Sequence, residues 1–138
     1  MTVAGIQLLA VILATIASYV FGAIWYTSLA KSWLAALGKT KAELSAAINP
    51  PWLPFVVTFF AQLLMAVMLA GLMGHMGPLT LRSGLITAAL CWLGFVVPTM
   101  AANHSFQGAE RSLTLIDGGH WLGVLLIQGA VLGAMGAG

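Results

Sequence analysis

The chain of 138 residues is 61% apolar and only 6% charged, with a mean hydropathy of +1.03, whereas soluble domains carry roughly 25% charged residues. That excludes a polar shell and leaves the lipid bilayer as the surrounding partner. A net charge of +2 from five scattered Lys and Arg also excludes the phosphate-neutralising surface of a nucleic-acid binder.

Crossing roughly 30 Å of hydrocarbon at 1.5 Å per residue takes about 20 apolar residues. Four such stretches occur, at about 4–28, 53–76, 81–104 and 112–136. The expectation is an all-α, polytopic membrane protein forming a single domain over residues 1–138. Its four transmembrane helices form an antiparallel bundle, with a short amphipathic helix at the interface between helices 1 and 2. The first stretch is too long, and lacks the basic leading segment, for a cleaved signal peptide. Along it Ala10, Ala14, Ser18 and Gly22 recur every four residues.

The connection to the second stretch, KSWLAALGKTKAELSAAINPPWLP, has its own structure. Gly38 is suited to stopping a helix, and Thr40 with Glu43 has the spacing of a capping box. A short helix should run on to about Ile48 before Asn49, Pro50 and Pro51 end it. Trp33, Leu34, Leu37, Leu44 and Ile48 offer an apolar side and Lys31, Lys39 and Lys41 a charged one, as in a segment lying among lipid headgroups. A solvated loop that contains leucines is the plainer alternative.

Helix 2 repeats the small-residue spacing at Ala66, Ala70 and Gly74, and Gly77-Pro78 turns the chain into helix 3. Cys91 reads as a small buried hydrophobe without a disulfide partner. Pro98 lacks an N–H, so the Gly94 carbonyl loses its helical donor and the helix should kink. A tyrosine hydroxyl, a tryptophan N–H or water would then serve that carbonyl. Helix 4 pairs Gly119 with Gly123 and Gly129 with Gly133. In lipid, small residues bring helices together, and these faces, more numerous than one bundle needs, predict a homo-oligomer. The competing explanation is that glycine is simply frequent in membrane helices.

Lys31, Lys39, Lys41 and Arg111 flank the first and third connections and only Arg82 the second. The positive-inside rule then puts both termini outside the cytoplasm, in a multi-pass protein of the inner membrane. Trp25, Tyr26, Trp33 and Trp52 form an aromatic belt at the cytoplasmic edge. Measured from that edge, Tyr19, Thr58, Gln62, Thr99, Asn103, Asp117 and His120 all fall in one leaflet. On helix 4, Asp117, His120, Val124 and Gln128 share a face that should point into the bundle. Asp117 lies roughly 9 Å deep, six residues past Arg111 at the helical rise, where an acid is tolerated if it has partners.

Several chemistries fail on spacing. His104 near the membrane edge and His120 about 13 Å inside should not meet at one ion or haem, so neither metal nor cofactor is expected, and His75 reads as an interfacial residue. No spacing for a base-activated nucleophile is present, which argues against an enzyme. Intramembrane ionisable residues commonly line pathways or sites. Asp117 and His120 are therefore the candidate titrating pair for small-solute or proton permeation or binding. Gln62, Asn103 and Tyr26 would orient them and Trp25 and Trp121 would wall them in, around a small-molecule ligand of unspecified identity. The alternative is a non-catalytic accessory or scaffold protein that acts through helix–helix assembly.

The segments GAIWYTSLAKSWLAALGKT (22–40), WLGFVVPTMAANHSFQG (92–108) and SLTLIDGGHWLGVLLIQGAVLGAMG (112–136) resemble a family of small bacterial four-helix membrane proteins, domain of unknown function 1761. Its pattern is Gly-x-x-Trp-Tyr-Ser with a Trp in the next loop, then Gly-Phe-x-x-Pro with a downstream Asn, then Ile-Asn-x-Gly-Tyr-Trp. The resemblance singles out Gly22, Trp25, Tyr26, Trp33, Gly94, Phe95, Pro98, Asn103, Ile116, Gly119 and Trp121. Thr27, Asp117 and His120 stand where the pattern has Ser, Asn and Tyr, so chemistry needing that carboxylate or imidazole would not be shared with such relatives. The resemblance implies a fold and a membrane address, and no activity.

Overall fold

A computed structural model describes residues 1–3 and 5–136. Four helices are long and apolar enough to cross a membrane: α1 (Leu8–Ser28), α4 (Leu53–Met76), the span Leu81–Phe106 and α7 (Arg111–Ala134). The third span consists of α5 (Leu81–Cys91), a π-turn (Trp92–Val96) and α6 (Val97–Phe106). Two shorter helices, α2 (Ala30–Leu37) and α3 (Lys41–Ala47), occupy the connection between α1 and α4.

The first span starts later than its hydropathy implies. Thr2–Val3 (β1) and Ile6–Gln7 (β2) pair as a small antiparallel hairpin before Leu8. Gly5 there takes a φ of +78°, a left-handed value that a helix cannot contain, so helical hydrogen bonding begins only after it. Residue 4, the expected helix start, lies outside the described residues.

The long connection folds as its capping residues dictate. Gly38 adopts φ +66° at the end of α2, and its N–H and that of Lys39 reach back to the Ala35 and Leu34 carbonyls, a left-handed helix stop. Thr40 Oγ1 then accepts the Glu43 N–H at 3.1 Å to start α3. Between α4 and α5, Gly77 at φ +124° makes the turn. Thr80 and Ser83 cap α5 reciprocally, each side chain accepting the other's backbone N–H.

Packing follows small residues, as expected where lipid offers no hydrophobic drive between helices. The dry core comprises Ala10, Val11 and Ala14 of α1, Ala66, Leu69, Ala70 and Met73 of α4, Ala88 of α5, and Leu125 and Leu132 of α7. Outward faces carry large apolar side chains, among them Ile12, Ile16, Phe60, Leu64, Ile86 and Leu90, matched to acyl chains rather than to water. Helix α7 is the axis of the bundle, packed chiefly on α5 and α1 and also on α4, α2 and α6. A Cβ at Gly84 would overlap the Gly129 carbonyl, and one at Gly133 would overlap the Thr80 carbonyl. Gly129 and Gly133, expected to supply contacts between subunits, are thus occupied by α5 of the same chain.

The proline in the third span is accommodated by a change of pitch. The Val97 N–H bonds to the Trp92 carbonyl five residues back, so the missing N–H of Pro98 is absorbed by a π-turn. Among the described residues no side chain donates to the Gly94 carbonyl; Trp25, Tyr26 and Trp92 donate to α7 and Tyr19 to α4 instead.

Candidate functional site

In the half of the bundle that holds the C-terminal part of α1, the N-terminal part of α4 and the N-terminal part of α7, polar groups replace the alanine core. Three consecutive residues of α7 are held by donors from other helices. Trp25 Nε1 donates to the Ile116 carbonyl at 3.0 Å, Tyr26 Oη donates to Asp117 Oδ1 at 2.6 Å, and Trp92 Nε1 donates to the Gly118 carbonyl at 2.8 Å. Trp25 can reach α7 because Gly119 leaves room, a Cβ there coming within 2.9 Å of the indole ring. Gly123 receives the ring of Phe21 in the same way.

About three helical turns further along α7 is a relay of buried amides. Gln128 Nε2 donates to the Gln62 backbone carbonyl at 2.9 Å and to Ser18 Oγ at 3.1 Å. A carbonyl only accepts, which identifies that end of Gln128 as its nitrogen. Ser18 has one proton to give, and its 2.8 Å approach to Gln62 Oε1 is shorter than its 3.1 Å approach to the Thr15 carbonyl. The direction is therefore Gln128 to Ser18 to Gln62, and the Gln62 amide nitrogen is left buried without a partner. Ser18, Gln62 and Gln128 are all 0% exposed.

His120 completes the arrangement. It is buried, and its ring lies between aromatic neighbours, 4.8 Å from the Tyr26 centroid and 4.6 Å from that of Trp121. Its Nδ1 has no partner. Its Nε2 rests in the notch at Gly22, where a Cβ would stand 2.7 Å from it and 3.8 Å from Gln62 Nε2.

These groups meet a cavity of about 670 Å³. Gly22, Gln62 and His120 form its inner wall, with Tyr19, Tyr26, Thr58 and Trp121 beside them. Trp33 of α2, Leu44 of α3 and Ile48 extend over it from the amphipathic connection, and Pro51, Pro54 and Phe55 close it at the start of α4. The connection, whose pattern predicts a segment among lipid headgroups, also forms the roof of the cavity.

The structure brings Trp25, Tyr26, Gln62, Asp117, His120 and Trp121 into one region and leaves Asn103 out of it. Asn103 and Pro98 are exposed on α6, and Thr99 bonds to its own helix at the Phe95 carbonyl. His104 is tied to Thr114 Oγ1 at 2.7 Å near the end of the bundle. Among the described residues no group of three His, Cys, Asp or Glu side chains could hold a metal ion. Residues not foreseen as part of the site are Ser18, Phe21 and Trp92. Trp92 had one available signal, its position six residues before Pro98 at the depth of the polar cluster.

The profile of the family described as Protein of unknown function (DUF1761) matches residues 9–133. The chain belongs to this family. The DUF1761 match runs from the start of α1 to the end of α7 and so includes every residue of the site. No curated protein and no solved structure matches the chain.

Proposed function

We propose that this DUF1761 protein binds a small solute within the cytoplasmic leaflet of the inner membrane, with both termini on the outer side. The reading is carried by one observation. Two buried side chains with unpartnered polar atoms, Gln62 and His120, line a cavity of about 670 Å³, inside the roughly 300–1,000 Å³ range of small-molecule sites. A buried polar atom without a partner costs about 1 to 3 kcal/mol, and a ligand that supplies the partner recovers this.

Binding is favoured over passage because the other half of the bundle is filled by the alanine and leucine core. Asp117 and Tyr26 serve here as a positioning pair that fixes the wall beside His120. Of the small residues behind the alternative, an accessory role through helix assembly, Gly129 and Gly133 are engaged within the chain. Orientation rests on the Lys and Arg count of the connections.

The test is native mass spectrometry of the protein released from bilayers in mild detergent. The wild type should retain a bound species, and Thr58→Trp, which fills the cavity from α4, should lose it while keeping the same melting temperature. A wild type without adduct, or an adduct that persists in Thr58→Trp, would overturn the proposal.

A further inference from the structure

The wall of the cavity also restricts the chemistry of its occupant, an inference that rests on the binding function proposed above. Among the described residues that line it there is no Asp, Glu, Lys or Arg. A charged headgroup would enter without a counter-charge, and an unpaired ion in a low-dielectric site is strongly disfavoured. Asp117, an acid behind the wall residue Tyr26, is engaged by the tyrosine hydroxyl at 2.6 Å and offers an anion no counter-charge.

The free polar atoms gather at one end. The Tyr26 hydroxyl donates to Asp117, and the Tyr19 hydroxyl donates to the Phe55 carbonyl at 3.1 Å, so neither proton is available. The buried groups without a partner at the inner end are the terminal amide N–H pair of Gln62, set by the relay from Gln128 and Ser18, and the imidazole of His120, with the neutral Thr58 hydroxyl and Trp121 indole beside them. Gln62 and His120 meet at the notch of Gly22, which a side chain would fill. The outer end, beneath Trp33, Leu44, Ile48, Pro51 and Phe55, offers apolar contact. We propose that the occupant is an uncharged amphiphile. It carries a hydrogen-bond acceptor such as a carbonyl, seated between Gln62 and His120, and an apolar remainder lying under α3. A neutral bilayer lipid and a lipophilic solute share this chemistry.

Trp33 and Trp121 line the cavity and report on it when quenched by brominated chains. The full chain in lipid nanodiscs would be titrated with dibromostearate methyl ester, ionised dibromostearate, dibromo-octadecylamine, dibromo-octadecane and a brominated diacylglycerol. The ester should quench saturably, at a concentration about tenfold below either charged probe and below the headless alkane. In His120→Phe, which retains the ring packing, ester and alkane should converge to within about twofold. Gln62→Leu should act in the same direction but also strands Ser18 and Gln128, so the histidine variant decides. A diacylglycerol that matches the ester identifies the occupant as a bilayer lipid, and one that fails to quench identifies a single-chain solute; both support the uncharged class. A charged probe that matches the ester, or an ester preference that survives His120→Phe, overturns this inference and leaves binding intact. Absence of saturable quenching by every probe overturns the binding function itself.

Discussion

The two ends of α7 use the same residue type at the same spacing for opposite purposes. At Gly129 and Gly133 the missing side chains admit the backbone of α5, so two helices touch main chain to main chain and no space remains between them. At Gly119 and Gly123 they admit the rings of Trp25 and Phe21 from α1, so helix backbone meets side chain, in the half of the bundle that holds the cavity. A glycine pair in a membrane helix therefore marks a close approach, and the partner decides whether it is backbone on backbone or backbone on ring.

The contrast between the ends is most sharply broken at the closed one. Gly84→Ala sets a methyl group against the Gly129 carbonyl, where only movement of a whole helix gives relief. It should cost about 3 kcal/mol or more, read as a lowered unfolding midpoint in mild detergent. Gly123→Ala meets only the Phe21 ring, a side chain able to turn aside, and should cost about 1 kcal/mol in the same assay. Equal losses from the two changes would erase the distinction.

At the open end, Tyr26→Phe removes the 2.6 Å bond to Asp117 and leaves that acid without its donor. The expected loss is about 1 to 3 kcal/mol. Asp117→Asn added to Tyr26→Phe should not lower stability much further, and a double variant whose losses simply add would show that the pair does not act together. The smallest effect belongs to the roof. Thr40→Ala removes one capping bond from α3, which has no buried residue. It should cost about 1 kcal/mol locally, seen as faster amide exchange over residues 41–47 with the global midpoint unchanged.

The same two ends separate what is legible in the chain from what is not. Span positions follow from length and hydropathy, which are local, and the stop at Gly38 and start at Thr40 follow from residues adjacent in sequence. Partners are not local: a stripe of glycines shows which face approaches something, while the choice between Gly84 and Phe21 belongs to the fold. Depth is legible and azimuth is not. Asn103 lies at the depth of the cluster, yet it comes after the π-turn at Trp92–Val96. One extra residue in a turn rotates the remainder of the helix by about 100°, and Asn103 faces outward. The cavity is hidden from the sequence for a related reason, since its roof comes from a connection whose amphipathic pattern alone says only that it lies at an interface.

The three donors that grip residues 116, 117 and 118 set a mechanical limit on the bundle. To slide by one residue, α7 would have to screw through about 100° while advancing 1.5 Å, and that motion would tear Trp25, Tyr26 and Trp92 from their acceptors together. The helix is indexed, like a shaft held by a detent. The roof has no such lock: α3 has no buried residue, so the part of the cavity wall it supplies is the one least fixed to the bundle.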